Sequence, residues 1–366
     1  MTDWSLVRRL GAAHNADISF VRFSPDGRTL ATGGESVEIF KVRSDTPSLT
    51  LAHLDDISFV AFAPDGQLLA AASGDSVTLW STLTGKCLRT LLPGEVFCLE
   101  FAPDGQSLAS AGDGVAIWDI RSGELLRILS MHSDYVWSVA FSARGILASG
   151  SDDESAIVWN PHTGEALQQL HCHPHRGGID CVTFSADGEL LATSCRWAVF
   201  LWHRQVVFQG EQDVWACART LTLCGTVSSI SFSSEATPRL LATGLNDGSV
   251  VLVDVDSGSQ TTLLGGEAKA LESLTSVAVH FSPCGQFVAS RSEDGGCLVW
   301  ARPGTILVCA LRELMARVEL LWRSGREVVL EEISSVVQSQ AMWIGHVCCA
   351  RMPLSVIGII FRFLLG

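Results

Sequence analysis

Short runs of alternating apolar and polar residues recur along the first 300 residues, separated by turn signals. One unit starts at YVWSVAF (135–141), passes a turn, continues through a second apolar run and ends at Trp159. Alternation with a period of two is typical of strands with one buried face. We therefore predict strands joined by tight hairpins, rather than helices, for this part of the chain.

A turn of the form Phe-x-x-x-Gly recurs at a nearly constant spacing. It reads FSPDG, FAPDG, FAPDG, FSARG, FSADG and FSPCG, and it starts at Phe23, Phe62, Phe101, Phe141, Phe184 and Phe281. A seventh unit at Phe232 keeps the frame with a longer loop. Proline presets one turn dihedral and glycine accepts the positive one. Such a period indicates one supersecondary unit repeated along the chain.

Each unit contains three strand-like runs, and the third ends on an aromatic or aliphatic residue. Fourth strands are predicted near residues 48–52, 86–91, 124–129, 165–170, 216–223 and 259–264. The seventh unit has no fourth strand after it. Residues 3–10 can supply that strand, which would join the two ends of the array and remove an open sheet edge.

These features resemble the WD-repeat β-propeller family, whose units end in Trp-Asp and carry an upstream Gly-His. Trp118-Asp119 is the only full dipeptide, and Trp80, Trp159, Trp202 and Trp300 keep the tryptophan. Histidines stand nine residues before the turn phenylalanine in four units, at His14, His53, His132 and His175. The resemblance implies an all-β, seven-bladed propeller of four-stranded antiparallel sheets over residues 1–302, closed by the N-terminal strand.

Residues 303–366 do not repeat and form a separate predicted segment. Apolar residues at helical spacing predict two amphipathic helices around RSGR. The final PLSVIGIIFRFLLG is too short to span a bilayer and contains Arg362, so we expect no membrane span. The segment can dock on the propeller, bind a partner or a membrane surface, or be an alternative or misread terminus, and the sequence leaves these alternatives open.

Composition narrows the function classes. The 366 residues carry a formal net charge of -14 and no Lys/Arg cluster, which argues against nucleic-acid binding. The N-terminus lacks an apolar signal core, so the twelve cysteines are expected to be reduced and the protein to be cytoplasmic or nuclear. No P-loop, GxGxxG or HExxH motif appears, so we predict no cofactor and no enzymatic activity.

Two groups of residues resemble a catalytic or a metal-binding site, but their context favours a structural role. In the fourth unit, His132, Ser149 or Ser151, Asp153 and Trp159 occupy the positions where the family forms a structural hydrogen-bond chain, and no nucleophile elbow accompanies them. The stretch HCHPHRGGIDC (171–181) is rich in histidine, but no second Cys/His pair at zinc spacing follows. We predict a stabilising network and no metal site.

The predicted binding surface is one mouth of the ring, where the innermost strands begin. Acidic and aromatic residues share the positions six and four before the turn phenylalanines: Asp17, Asp56, Glu95, Phe97, Tyr135, Trp137 and Asp180. Aromatic anchors beside acids suit a protein or peptide that carries Lys or Arg. Alternatively, Phe97 and Trp137 pack between blades.

WDIR (118–121) also resembles the Trp-Asp-x-Arg element by which some WD-repeat proteins dock onto a cullin ubiquitin ligase adaptor. This resemblance implies an alternative function as a substrate receptor, with Trp118, Asp119 and Arg121 in the docking element. The match is four residues long, and the aspartate expected upstream is displaced by a shortened hairpin.

Overall fold

The computed structural model describes residues 4–10, 18–42, 47–52, 57–171, 177–205, 213–234, 239–264, 277–291 and 296–302. The chain divides into two compact units, Arg8–Trp300 and Met1–Val7 with Ala301–Gly366. The predicted helices at 303–366 lie outside the described residues, as do Asp17 and Asp56.

The described residues form 28 strands in seven four-stranded sheets, which confirms the predicted all-β, seven-bladed propeller. Each sheet is called a blade, and the blades are numbered along the chain. Blades 1 to 6 each contain four consecutive strands, whereas blade 7 has the strand order β1-β28-β27-β26. The N-terminal strand therefore belongs to the last sheet, as predicted.

The strands have four roles in a blade. The innermost strands are β2 (Phe20–Phe23), β6 (Ile57–Phe62), β10 (Cys98–Phe101), β14 (Val136–Phe141), β18 (Cys181–Phe184), β22 (Val227–Phe232) and β26 (Val279–Phe281). The second strands are β3 (Thr29–Gly33), β7 (Leu68–Ser73), β11 (Ser107–Ala111), β15 (Leu147–Ser151), β19 (Leu190–Cys195), β23 (Leu240–Leu245) and β27 (Phe287–Arg291). The third strands are β4 (Ser36–Lys41), β8 (Ser76–Ser81), β12 (Val115–Asp119), β16 (Ser155–Asn160), β20 (Ala198–Gln205), β24 (Val250–Asp254) and β28 (Cys297–Ala301). The outer strands are β5 (Pro47–Ala52), β9 (Cys87–Leu91), β13 (Leu125–Leu129), β17 (Glu165–His171), β21 (Val214–Thr222), β25 (Gln260–Leu264) and β1 (Ser5–Leu10).

The second and third strands form the core because sheets pack against both of their faces. Their residues are almost continuously buried, as in LASGS of β15 and CLVWA of β28. The outer strands differ, since β9 and β13 each bury only their last residue. Apolar clusters therefore lie between neighbouring blades, and Trp159 and Phe40 are among the largest fully buried side chains.

The recurrent turn has the geometry that its sequence predicts. In blade 1, Gly27 has a φ of 67°, a value that favours glycine. Oδ1 of Asp26 accepts hydrogen bonds from the hydroxyl of Ser24 at 2.6 Å and the backbone N–H of Arg28 at 3.0 Å. The turn is thus closed by its own side chains, and the same Ser–Asp pair closes the turn of blade 5, where the Ser185 hydroxyl donates to Asp187 at 2.5 Å.

A β-bulge recurs where the third strand reaches its terminal aromatic residue. The register between third and outer strands shifts at Ile39/Phe40, Leu79/Trp80, Ile117/Trp118, Val158/Trp159 and Leu201/Trp202. A bulge bends the strand and changes the direction of the adjacent side chain. The same backbone irregularity thus accompanies the aromatic residue in five blades.

Candidate functional site

A cavity of about 790 Å³ lies on the propeller axis and is lined by residues from all seven inner-strand segments. Each segment runs inward from a loop, so its first residues form one mouth of the channel. The predicted positions Phe97, Trp137 and Asp180 line this cavity, whereas Glu95 and Tyr135 stand just before Val96 and Val136, which are buried. The mouth is therefore built from loop residues held by buried neighbours.

Three aromatic side chains form one cluster at this mouth, at the junction of blades 3 and 4. The rings of Phe97 and Trp137 stack with centroids 4.3 Å apart and planes 29° apart. Tyr135 meets Phe97 edge to face at 5.8 Å. Tyr135 is 44% exposed and Trp137 is 37% exposed. Phe97 is half-buried, so the cluster presents aromatic surface to solvent while its members support one another.

Carboxylates surround the aromatic cluster. Glu95, Asp134 and Asp152 are exposed, and Asp180 is half-buried. Burial raises the pKa of Asp180, and the nearby charge of Asp152 raises it further. The backbone N–H of Arg196 donates to Asp180 at 3.3 Å and partly offsets this rise. Among the described residues, none of these four carboxylates has a cationic side chain within ion-pair distance. The sector therefore presents carboxylates without direct ion pairs, and the positive charge of Arg196 offsets part of the charge of Asp180 at longer range.

The channel interior contains a small set of ionisable groups. The guanidinium of Arg22 lies 4.9 Å from the ring centroid of Phe59. Burial raises the pKa of Glu100 to about 7, although the positive charge of Arg22 opposes that rise. Burial, reinforced by Arg22, holds the pKa of His280 well below its usual value, so this imidazole is neutral. These groups were not among the predicted site residues.

Polar side chains of the inner strands bind the backbone of the next blade. Three residues before the turn phenylalanine, Ser138 Oγ accepts the N–H of Val182 at 3.0 Å and Ser229 Oγ accepts that of Val279 at 3.3 Å. Cys98 takes the same role, since its Sγ lies 3.5 Å from the nitrogen of Val139. Burial raises the pKa of Cys98 to about 12, which keeps this thiol protonated. These side chains connect neighbouring blades along the channel wall.

The fourth blade contains the predicted hydrogen-bond chain. Trp159 Nε1 donates to Ser149 Oγ at 2.8 Å, and this oxygen lies 2.7 Å from His132 Nε2. His132 Nδ1 lies 2.8 Å from Asp153 Oδ2. Every donor is satisfied when the Ser149 hydroxyl donates to Nε2 and Nδ1–H donates to the carboxylate. The Ser149 hydroxyl is fully buried and hydrogen-bonded on both sides. This environment suits a structural role and does not let the hydroxyl act as a nucleophile.

Ser151 meets that chain only at the backbone, where its hydroxyl accepts the N–H of Asp153 at 3.1 Å. The side chain of another serine joins the chain directly. The Ser151 hydroxyl donates to the carbonyl of Asp134 at 3.1 Å, on the loop that leads to Tyr135. Ser155 instead donates to Asp153 Oδ1 at 2.6 Å. Burial tends to raise the pKa of Asp153, but hydrogen bonds from Ser155 and His132 outweigh it and lower that pKa. Ser155 was missed because it stands two residues after Asp153 in a tight turn.

Other blades retain part of the chain among their described residues. The indole nitrogen donates to a second-strand hydroxyl in Trp118–Ser110, Trp202–Thr193 and Trp300–Ser290 pairs, at 3.0, 3.0 and 3.2 Å. Asp247 in blade 6 accepts from the hydroxyl of Ser249 at 2.5 Å. Among the described residues, the whole network is therefore present in blade 4, and its link from tryptophan to a hydroxyl recurs in blades 3, 5 and 7.

In the Trp118–Arg121 element, two of the three predicted docking side chains are occupied locally. Trp118 is buried, and the Asp119 carboxylate accepts the N–H of Ser122 at 2.5 Å. This hydrogen bond lowers the pKa of Asp119. Arg121 is exposed, and its carbonyl accepts from the guanidinium of Arg89 at 2.9 Å. Of the three predicted docking residues, only Arg121 is exposed.

Among the described residues, no three His, Cys, Asp or Glu side chains lie close enough to hold a metal ion. Of the histidine-rich stretch, residues 172–176 lie outside the described ranges, and His171 ends β17. In the same described part of the chain, no helix has the length and hydropathy of a membrane span.

The comparison with protein families decides the identity of the repeat. A sequence model described as "WD domain, G-beta repeat" matches residues 4–36, 45–81, 85–119, 123–160, 164–203 and 261–301, which together exceed half of the chain. The chain belongs to the WD-repeat family. The predicted resemblance is therefore confirmed. The unmatched interval 204–260 contains the inner three strands of blade 6, so this WD-repeat blade keeps its fold while its sequence departs from the family pattern.

Curated relatives are also WD-repeat proteins, by their names or by the repeat that they share with this chain. The chain is similar to DENN domain and WD repeat-containing protein SCD1 of Arabidopsis thaliana, with 28% identity over 57% of this chain and 17% of that protein. It is 30% identical to the intraflagellar transport protein 122 homolog of Danio rerio over 36% of this chain and 10% of the relative. A guanine nucleotide-binding protein subunit beta of Arabidopsis thaliana is 32% identical over 35% of this chain and 39% of the relative. The similarity thus spans a minor part of these relatives.

Proposed function

We propose that this WD-repeat chain is a non-catalytic interaction scaffold that binds a Lys- or Arg-bearing segment of a partner protein at the channel mouth. The observation that supports this most is the exposed cluster of Phe97, Tyr135 and Trp137 beside carboxylates that have no cationic side chain within ion-pair distance in the described structure. A guanidinium or ammonium group gains from an aromatic face and from nearby carboxylates together. Asp17 and Asp56 remain predicted members of this surface.

The arrangement favours binding over catalysis. The two candidate nucleophiles described above are committed, since Ser149 is bonded on both sides and Cys98 is held as a thiol. The family model and the names of the relatives quoted above fit a scaffold, because none of those names denotes an enzyme. Free thiols in the described structure support a reducing compartment, and we assign the protein to the cytosol or nucleus on that basis.

The adaptor-docking alternative now depends on Arg121 alone. Trp118 and Asp119 have local structural roles, so their presence does not by itself indicate a docking element. If the chain is a substrate receptor, Arg121→Ala abolishes capture of the ligase adaptor and leaves binding at the channel mouth unchanged.

Binding of short peptides to the full chain tests the scaffold proposal. A fluorescent peptide with alternating Lys, Arg and Gly is titrated against the wild type, a Tyr135→Ala/Trp137→Ala double variant and Asp180→Asn. We expect the double variant to lower affinity by at least tenfold and Asp180→Asn to lower it less, since anchors near the centre of an interface dominate its energy. Trp197→Ala is the matched control, because Trp197 is also exposed but lies outside the cluster. Equal binding by all variants, or preference for an acidic peptide, contradicts the proposal.

A further inference from the structure

The exposed apolar surface of the propeller is concentrated on the outer strands of blades 2 and 3. Seven of the twelve exposed large apolar side chains in the described structure belong to β9, β13 and their flanking turns: Leu83, Leu88, Leu92, Leu125, Leu126, Ile128 and Met131. Ile128 is 64% exposed. Large exposed apolar patches on a folded domain mark interaction sites.

Other outer strands expose fewer large apolar residues, namely Leu6 of β1 and Val214 of β21. The exposed residues of β25 include Thr261 and Thr262, and those of β5 are Ser48 and Thr50. Solvent exposure of the outer strand is thus general among the described blades, whereas large exposed apolar side chains are concentrated on β9 and β13, with one each on β1 and β21. An exposed apolar edge strand promotes pairing with other chains and aggregation. We therefore infer that a binding partner covers this edge.

A groove of about 450 Å³ runs beside β13, between blades 3 and 4. Its apolar lining includes Ile117, Leu126 and Phe141. Its charged lining is Asp104, Arg127 and Arg144, and Arg144 forms an ion pair with Glu189. β13 is the terminal strand of its sheet, so its outer backbone edge has no pairing strand in the described structure. The edge supplies hydrogen-bonding groups and the groove supplies a place for side chains.

The charge of this edge differs from that of the chain. Residues 82–92 and 120–131 contain Lys86, Arg89, Arg121 and Arg127 against Glu124, a local charge of +3 in a chain of -14. Arg89 is held in place, because its guanidinium donates to the carbonyls of Ser122 and Arg121 at 2.6 and 2.9 Å. Pairing of two copies through β13 brings Arg127 near its own counterpart, so like charges disfavour a second copy at this edge.

We propose that β13 and the adjacent groove, together called the blade 3 edge, dock an extended acidic segment of a partner protein as a fifth strand of that blade. Backbone pairing with β13 provides affinity, and apolar side chains at alternate positions of the segment contact Leu126 and Ile128. Acidic side chains at the remaining positions face Arg127 and the neighbouring basic groups. This surface is separate from the channel mouth.

Selection from a random library tests the proposal without knowledge of the natural partner. Phage-displayed 12-residue peptides are panned on the immobilised full chain, and the enriched peptides are synthesised and titrated by fluorescence anisotropy. We expect acidic sequences with Ile, Leu or Val at every second position. Their affinity should fall at least tenfold in Ile128→Glu and in Arg127→Glu. Both positions are exposed, so the fold should be retained, and circular dichroism checks this.

Thr261→Glu on β25 is the matched control and should bind within twofold of the wild type. Hydrogen exchange should show slower exchange of the amides of residues 125–129 when the peptide is bound. Basic or helical peptides, absence of enrichment, or binding that Ile128→Glu leaves unchanged overturns the proposal. Binding lost only in Trp137→Ala assigns the peptides to the channel mouth and also overturns it, as does a dimer that Ile128→Glu dissociates.

Discussion

Nδ1 of His280 lies 3.3 Å from the backbone nitrogen of Phe23 and accepts its hydrogen bond. The two residues stand in the inner strands of blades 7 and 1, so this contact joins the last blade to the first. Serine and cysteine side chains make the comparable contacts between other neighbouring blades. At this junction the acceptor is an imidazole, which makes the junction sensitive to pH.

Replacement of His280 should weaken this junction and remove its acid sensitivity. The folded protein holds the pKa of His280 well below 6.5, so the unfolded chain binds the proton more tightly. The contribution of His280 is therefore complete above about pH 6.5 and is lost as pH falls below that value. We expect His280→Leu to cost about 1 to 3 kcal/mol at pH 8, because it leaves the N–H of Phe23 unpaired.

Urea unfolding of the wild type, His280→Leu and His280→Gln between pH 5 and 8 measures this effect. The glutamine variant has an acceptor that does not titrate and should lose less stability than the leucine variant. If the free energy of unfolding depends on pH below 6.5 as strongly in both variants as in the wild type, His280 is not the titrating group at this junction.

Glu100 should have the opposite pH dependence. Its pKa rises from 4.5 to about 7 on folding, since burial penalises the charged form, so the folded state retains a proton that the unfolded chain releases. Stability should therefore decrease as pH rises from 4.5 to 7 and then remain constant. Glu100→Gln should remove this slope and stabilise the protein at pH 8 by on the order of 1 to 3 kcal/mol. Thermal melts at pH 5 and pH 8 test this, and a variant that melts below the wild type at pH 8 contradicts it.

The sequence predicts the fold more completely than the site, for physical reasons. Turn chemistry and strand alternation are local, so the units around Phe23 or Phe141 are evident without coordinates. The positions of Tyr135 and Trp137 at a mouth follow from the repeat frame, but their stacking with Phe97 depends on the angle between blades. The contacts of Ser138 and His280 were missed because their partners lie in other blades, although small polar residues recur at Cys98, Ser138 and Ser229.

The blade 3 edge shows a further limit of periodicity. SGELLRILS was predicted as a strand, and β13 confirms it, but the pattern alone does not say that Leu125, Leu126 and Ile128 face solvent. An outer strand receives no second sheet on its outer side, so its apolar residues stay exposed unless a partner covers them. Burial at this edge is set by position in the blade rather than by hydropathy.

The blade 4 network should contribute to stability as a coupled unit. Trp159→Ala should cost about 3 to 5 kcal/mol through the cavity it creates, and His132→Ala about 1 to 3 kcal/mol through unpaired buried groups. A double-mutant cycle of His132 and Asp153 should give a coupling energy above about 0.5 kcal/mol, since they share a hydrogen bond of 2.8 Å. Ser133→Ala, on an exposed neighbour, is the control. Additive effects of the two substitutions contradict the network.

The boundary at residue 302 is proposed from the end of the repeat, and a truncation tests it. Residues 1–302 contain all 28 strands of the described structure, so a chain ending there should remain soluble and unfold cooperatively. We expect its melting temperature to lie within a few degrees of the full chain. If residues 1–302 aggregate while the full chain remains monomeric, residues 303–366 are required for folding, and the boundary is wrong.

Deletion of residues 1–10 should cost far more than trimming of an ordinary terminus. β1 is the outer strand next to β28, and every residue of β28 is buried. Without β1, the backbone groups of Cys297–Ala301 lose their pairing strand, although the Trp300 indole still donates to Ser290. Unpaired buried backbone groups cost about 1 to 3 kcal/mol each. We expect the deletion to lower the melting temperature by more than 10 °C, on the order of a few kcal/mol.

Deletion of residues 1–3 is the control and should change little, since β1 begins at Ser5. Equal melting temperatures for both deletions show that blade 7 is stable with three strands.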